Sequence, residues 1–402
     1  MSMRIAWLAP YSAQLLEPQV TVMRRTAVFH PCSWIVNLSS ALARTPELEL
    51  HIITESTLVA QRQVVRRDNI TYHVLKTGVP FTHRGFPYWC PLDILTGFSA
   101  NVRQMLREIG AINPDLVHGH GTEVGYALTA VKSKRPCLIS IQGVISEIFK
   151  TSPILRYRLV RKLEQQTVRQ ARFFTCRTRF DSGFVLSQNP QARIFMIPEA
   201  MNPVFFEKTW SPSEAETILF VGSLLKEKGI FTLLEALAVV ARQRPRVLLQ
   251  IIGGASLEQR QSLQQFCERL GIQKNVEFRG FKLAAEIARY HQAAQMFVMP
   301  SENENSPNAL AEAMVSGMPV IASDVGGIPS MVQAGESGVL VKPQDPQQLS
   351  EAILRLLSHP EERQRLGANA QRAARARHWP ETVAAQTVAA YQEILRSAKE
   401  TR

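Results

Sequence analysis

Short apolar runs alternate along this chain with stretches of helical period. The pattern predicts first-half strands over residues 4–9, 48–54, 70–76, 116–120, 137–142, 173–178 and 194–198. Helical patterns lie between several of them, as at 34–44 and 99–109. In the second half it predicts strands over 217–222, 247–252, 275–280, 296–300, 319–323 and 338–341, and residues 382–397 read as a final amphipathic helix. Strands that are apolar throughout are buried on both faces. Alternating with helices, they point to parallel, doubly wound α/β sheets. Two such sheets are expected. The domain plan is 1–200, a linker over 201–216 marked by Pro203 and Pro212, a second domain over 217–378, and a last helix over 379–402 that packs back towards the first domain.

Open α/β sheets bind ligands at the carboxyl ends of their strands. The residues just after the strands therefore matter most, and two sheets with facing strand ends would form an interdomain cleft. The most informative such segment runs from Pro300 to Met314 and carries Glu304 and Glu312 eight positions apart. Ser306 can cap a helix here, Pro307 suits its first turn, Gly317 suits its end, and Pro319 leads into the next apolar strand. Free N–H groups at a helix start attract phosphate. A carboxylate on each side of a phosphate site is what a nucleotide sugar needs, one for the sugar hydroxyls and one for the ribose. With Pro307 at the start, Glu312 lies roughly 7.5 Å up the helix.

The chain has 402 residues and 45% hydrophobic residues, enough for two or three ordinary globular domains. It has no apolar run of about 18 residues, so no membrane-spanning helix is expected. The apolar run at the amino end is too short for a signal peptide and reads as a first strand. The five cysteines (Cys32, Cys90, Cys137, Cys176, Cys267) are scattered without metal-ligand spacing, which argues against a zinc site and against a disulfide framework, and suits a reducing cytoplasm. No Asp-x-Asp metal signature appears, and neither Gly253-Gly254 nor the 222–229 loop has the spacing of a dinucleotide or NTPase phosphate loop. The net charge of +12 is uneven: residues 1–205 carry 24 Lys/Arg against 13 Asp/Glu, whereas 206–402 carry 22 against 21. The partner of the first half is therefore expected to be acidic. The densest stretch, 150–179, has nine basic residues and one acid, Glu164. Within it, 152–169 reads as an amphipathic basic helix, open to two readings: contact with an anionic membrane, or a core-packed helix with a solvated basic face.

At this point the residues resemble a family. Four segments are similar, in order, to the donor domain of retaining family 4 glycosyltransferases of the GT-B fold. They are Phe220 to Ala236, Leu249 to Gly254, Met299 to Met314 with its two glutamates, and Gly317 to Pro329, together spanning about 216–345. The first half resembles the acceptor domain only in outline. The resemblance implies two Rossmann-like domains facing a cleft, and a hexosyltransferase that moves a sugar from a nucleotide sugar to a glycan or lipid-linked acceptor. A role in cell-surface polysaccharide or glycolipid biosynthesis would follow, in the cytoplasm or peripherally on the inner face of the membrane, with no metal or other cofactor. It implies that Glu304 contacts the donor sugar near the anomeric carbon and that Lys228 meets the diphosphate. Gly222, Ser223, Ser306, Asn308, Ala309, Leu310 and Glu312 would complete the donor site, the middle three mainly through backbone N–H groups. Ser306 could equally be only a cap. His120, ending a strand, would lie near the reaction centre as the second catalytic candidate, with Gln142 and Gly143 lining the acceptor side. His118 is expected to face away from His120, and Glu123 could cap the following helix.

Three departures stand out. Ser223 occupies a place where an arginine commonly joins the lysine, with Lys226 a candidate substitute. The amino-terminal glycine pair is missing; Ala9-Pro-Tyr11 and His30-Pro-Cys-Ser-Trp34 stand there instead. Pro198-Glu-Ala-Met201 replaces a common Pro-Asn-Gly. Three rivals follow: a GT-B epimerase or phosphorylase, a non-catalytic glycosyltransferase-like subunit, and a nucleic-acid binder prompted by the basic first half. An aromatic content of 7% and the lack of any nucleic-acid motif argue against the last.

Overall fold

The computed structural model describes residues 3–23, 32–77 and 91–400; His30, Pro31 and Cys90 lie outside them. The chain divides into two units, one formed by 1–200 with 380–402 and the other by 201–379.

The first unit is built on eight strands: β1 Met3–Leu8, β2 Leu48–Ser56, β3 Gln63–Arg67, β4 Ile70–Lys76, β5 Leu116–His120, β6 Cys137–Ser140, β7 Phe173–Cys176 and β8 Arg193–Met196. Their order is β3-β4-β2-β1-β5-β6-β7-β8, parallel except for β3. The sequence reading missed β3. Its Gln-Val-Val-Arg-Arg sequence has no long apolar run and lies half-exposed on a sheet edge, and it joins β4 through Asp68 and Asn69, both with positive φ (49° and 63°). That is the two-residue hairpin turn in which Asp and Asn tolerate left-handed backbone. Central strands are buried on both faces, as the apolar runs required; every residue of β5 is buried. The helices α1 Ser33–Leu42, α2 Ser99–Ile112 and α3 Leu155–Gln170 belong to this unit. In α3, Val160, Glu164, Thr167 and Val168 are buried, while Leu155, Arg158, Lys162 and Arg169 are exposed.

The second unit has six parallel strands: β9 Thr217–Val221, β10 Leu248–Ile252, β11 Val276–Gly280, β12 Met296–Met299, β13 Val320–Ser323 and β14 Val339–Val341. Their order is β11-β10-β9-β12-β13-β14. The helix α4 Ile230–Gln243 buries Leu233, Leu234, Leu237 and Val240 in the core, and α5 Asn308–Val315 buries Leu310, Met314 and Val315. Residues 201–216, expected as a linker, belong to this unit. Phe205 is fully buried in its core, and Trp210 Nε1 donates to the Ala294 carbonyl at 2.8 Å. The prolines break secondary structure there but do not free the chain from the core.

The last helix, α6 Pro380–Glu400, belongs to the first unit. Its apolar stripe, including Val383, Ala384, Tyr391 and Ile394, is buried. Among the described residues, no helix is long and apolar enough to cross a membrane.

Both sheets share one topological feature. In the first, the chain winds outward from β1 through β2 and β4, then returns to lay β5 on the other side of β1. In the second it winds from β9 to β11, then returns with β12 beside β9. The loops after β1 and β5, and after β9 and β12, diverge at these reversals and leave the crevices where α/β sheets hold ligands.

Candidate functional site

In the second unit the loops after β9 and β12 meet at the reversal. The β9 loop ends in a 3-10 turn, Lys226–Lys228, followed by Gly229 at φ 70°, which starts α4. A Cβ at Gly229 would lie 1.8 Å from the Pro300 carbonyl oxygen, so only glycine lets the two loops touch. Glu302 N donates to the Glu227 carbonyl at 2.8 Å across the same contact. The loop after β13 joins them: Gly327 N donates to the Glu304 carbonyl at 3.0 Å, and a Cβ at Gly326 would sit 1.9 Å from that same oxygen.

These contacts fix Glu304. Its side chain is 9% exposed, and Oε1 accepts hydrogen bonds from Lys228 Nζ at 2.6 Å and Ser301 Oγ at 3.0 Å. The carboxylate expected near the sugar and the cation expected at the diphosphate are thus ion-paired to each other. A diphosphate near Lys228 would share the ammonium with Glu304, a three-way charge arrangement that residue spacing did not reveal. Ser223 and Lys226 are exposed, Gly222 is half-buried, and Gly222 N donates to the Ile252 carbonyl at 2.9 Å.

The helix start differs from expectation by one residue. Pro307 holds the N-cap position and α5 begins at Asn308. Ser306, expected as the cap, is buried, and its Oγ faces Met331 Sδ at 3.8 Å. Pro307 fixes the extended backbone that the cap position requires, which displaces the serine outward along the chain. The N–H groups of Asn308, Ala309 and Leu310 then have no carbonyl of their own helix to bond, and Asn308 Oδ1 is buried without a hydrogen-bond partner among the described residues. Further along α5, Glu312 is half-buried and forms no side-chain hydrogen bond or ion pair among the described residues. Burial pushes its carboxyl up to about 8. With no hydrogen-bond partner among the described residues, its oxygens are open to a ligand hydroxyl, whose donated bond would favour the ionised form.

In the first unit, His120 ends β5 beside the β1 reversal. It is 3% exposed, and its ring lies 4.3 Å from Trp7 and 4.0 Å from His118, centroid to centroid. His118 therefore shares a face with His120, contrary to the expectation that it points away. Side chains two apart on a strand lie on the same side of the pleat. His118 belongs to a buried chain of hydrogen bonds. Trp7 Nε1 can only donate, and it does so to Tyr391 Oη at 2.8 Å. That hydroxyl is left to donate to His118 Nδ1 at 2.7 Å, so Nε2 carries the proton towards Ser140 Oγ, also at 2.7 Å. His120 Nε2 is buried with no hydrogen-bond partner among the described residues. Burial, reinforced by the Arg177 charge, pulls His120 down to about 3, so the ring is neutral at physiological pH.

Gln142 and Gly143 follow β6. Gly143 N donates to Glu123 Oε1 at 3.1 Å, and burial pushes Glu123 up to about 7. Glu123 does not cap the next helix, whose N-cap is Gly125; its carboxyl turns to the β6 loop instead. Sequence reasoning passed over Arg177, Glu199 and Glu164. Arg177 and Glu199 are buried and ion-paired at the ends of β7 and β8. Glu164, fully buried on α3, accepts from Thr122 Oγ1 at 2.6 Å, Ser146 N at 2.7 Å and Ile145 N at 3.1 Å. A lone acid in a run of nine bases was the available signal for Glu164, and position after a strand was the signal for Arg177.

Residues 202–373 match the family described as glycosyl transferases group 1. A D-inositol 3-phosphate glycosyltransferase of Corynebacterium urealyticum is 34% identical over 188 residues, 46% of this chain and 44% of that protein. One from Streptomyces bingchenggensis is 34% identical over 217 residues, 53% and 45% of the two chains. The matched stretch thus spans less than half the length of these curated relatives. Among solved structures, sucrose-phosphate synthase from Thermosynechococcus elongatus aligns with a TM-score of 0.82 at 21% identity, covering 98% of this chain and 100% of that one. Anabaena HepE in complex with UDP and glucose aligns at 0.70 and 19% identity, covering 97% and 99%. At these identities the likeness is one of fold, and that fold is GT-B.

Proposed function

The second unit belongs to the glycosyl transferases group 1 family, and on that premise we propose that the protein is a retaining glycosyltransferase using a nucleotide-sugar donor. The observation that carries the reading is the Lys228–Glu304 pair, held where three loops converge in the unit that also carries α5. Lys228 and the helix-start N–H groups of Asn308, Ala309 and Leu310 offer positive charge to a diphosphate as its leaving-group charge develops. No metal ion is needed in this reading. Glu304 orients the sugar, and Glu312 accepts from the ribose. His120, neutral and with Nε2 unpartnered, is available to a sugar hydroxyl, and Gln142 and Gly143 are assigned to the acceptor side.

UDP is the first nucleotide to test, because HepE was solved with it. Thermal shifts with UDP, GDP and ADP, followed by NMR of the product from the matching nucleotide sugar, test the proposal. A retained anomeric configuration on a new acceptor supports it. Turnover without acceptor points to an epimerase, and binding of no nucleotide removes the reading altogether.

Glu312 supplies a second check. Its carboxyl is neutral in the folded protein up to about pH 8, so its contribution to stability is full at low pH and is lost as pH rises from the ordinary range near 4.5 to about 8. Ribose hydroxyls donate to the charged form and lower that pKa. Calorimetry of UDP binding at pH 7 in two buffers of different ionisation enthalpy is therefore expected to show release of up to about one proton. The Glu312→Gln protein is expected to release none.

The acceptor is a glycan or lipid-linked sugar, and the reaction is placed in the cytoplasm as part of surface polysaccharide or glycolipid synthesis. Exposed Ile154 and Leu155, with Arg158 and Lys162 on the same helix, support contact of the 150–179 segment with an anionic membrane. Co-sedimentation with phosphatidylglycerol vesicles but not with phosphatidylcholine vesicles is the expected result; equal behaviour with both would dismiss the contact.

A further inference from the structure

The buried pair Arg177–Glu199 has no part in the donor site, yet it occupies the ends of the strands next to His120. In sheet order, β5, β6, β7 and β8 end in His120, the loop holding Gln142, Arg177 and the segment holding Glu199. Arg177 is 9% exposed and Glu199 6%. The guanidinium is committed on both edges. Nε and Nη2 donate to the Ile141 carbonyl at 3.0 and 2.7 Å, Nη2 also donates to the Gln142 carbonyl and to Gln142 Oε1 (3.1 Å), and Nη1 pairs with Glu199. Burial pulls the arginine down to about 10, which leaves it charged at neutral pH. Its own N–H donates to Asp181 Oδ2 at 2.9 Å, which anchors the arginine to the start of the next helix. His120, Gln142, Arg177 and Glu199 all line one small cavity in the first unit, and the unpartnered His120 Nε2 belongs to that lining.

A buried charge this heavily hydrogen-bonded to one loop holds that loop in a single conformation. Lysine could not reproduce it, because a point-like ammonium cannot span two carbonyls, an amide oxygen and a carboxylate at once. We infer that Arg177, braced by Glu199, is a positioning residue that clamps the Ile141–Gly143 loop beside His120 and so sets where the acceptor hydroxyl is presented. The inference rests on the glycosyltransferase reading for its consequence, though not for the clamp itself. It names a residue pair that the donor-side chemistry does not use. It also gives a purpose to Pro198-Glu-Ala, where a glycine-containing turn was expected: Glu199 is there to neutralise Arg177.

Removing one partner would strand a buried charge and unfold the protein for trivial reasons. The informative variant removes both charges with apolar residues of similar size, Arg177→Met/Glu199→Leu, a kind of exchange that buried ion pairs often tolerate. Two measurements follow on the whole chain. Hydrogen exchange reads the clamp directly. In the native protein Ile141 N is bonded to the Thr175 carbonyl and Gly143 N to Glu123. In the double variant the amides of 141–143 are expected to exchange at least about tenfold faster, while those of β6 stay protected. Kinetics with UDP-glucose and the acceptor to which the wild-type protein transfers the sugar read the consequence. The expected result is a fall in kcat of about tenfold or more, with the KM for UDP-glucose within about twofold of native. Native exchange at 141–143, or native kcat in a stably folded double variant, overturns the inference. A wild-type protein that turns over no nucleotide sugar defeats the transferase reading instead, and the exchange result still decides the clamp.

Discussion

Glu304→Gln is expected to lower turnover of the matching nucleotide sugar by about a hundred- to a thousandfold, the range seen when one group that stabilises transition-state charge is removed. The exchange keeps the shape of the side chain and its contact with Ser301 Oγ, 3.0 Å away, but removes the negative charge that the proposed reaction places beside the forming cationic sugar. It also releases Lys228 from its 2.6 Å ion pair. Lys228 is 33% exposed on its side chain, so it can stay charged and hydrated without that partner. Affinity for UDP alone should therefore be unchanged or stronger, while the sugar-dependent step fails. Turnover at native rate would remove Glu304 from the chemistry. A parallel loss of UDP binding would show that its role is to build the loop.

Gly229→Ala is expected to have the largest structural effect. Two glycines share nearly the same backbone: Gly229 at φ 70° and Gly271 at φ 71°. At Gly271 a Cβ would meet nothing within 4 Å, so Gly271→Ala costs only the left-handed strain, about 1 kcal/mol. At Gly229 the Cβ would stand 1.8 Å from a backbone oxygen of Pro300. Relief requires the loops after β9 and β12 to separate, and these carry Lys228 and Glu304. A loss of about 3 kcal/mol or more is expected, or a Tm lower by roughly 6–12 °C for a unit of this size. Nucleotide binding should be lost with it. Differential scanning calorimetry of both variants with and without UDP makes the comparison. Equal Tm losses at the two glycines would mean that the loops yield freely.

Most strands could be read from the sequence because burial on both faces leaves few residue types to choose from. Phe297, Val298, Val320 and Ile321 are fully buried in neighbouring strands and had to be apolar. The β3 edge strand was invisible for the converse reason: its outward residues face water and carry no such constraint. Glu304, Glu312 and Lys228 could be singled out as candidates because each lies in or beside a segment whose turn residues mark the start of a helix. The cap was misplaced by one residue because proline and serine compete for adjacent positions there, and backbone geometry decides between them. The 201–216 stretch was misread because prolines signal a break in regular structure and do not show that Phe205 is buried.

The sequence by itself determined two parallel-sheet halves, a basic first half, and a helix start with Glu304 before it and Glu312 within the helix. These follow from local rules: period, capping and charge along the chain. Only the tertiary structure decided which of those groups meet. It pairs Lys228 with Glu304, which are 76 residues apart, and sets His118 against Tyr391 at 2.7 Å across 273 residues. It also buries Arg177 against the 141–142 loop and Glu199. Such contacts depend on strand order, and strand order is set by packing the whole chain, so no stretch of sequence carries them alone. The same distinction separates the α5 segment, whose signature is continuous in the chain, from the cavity lined by His120, Gln142, Arg177 and Glu199, which four strand ends assemble.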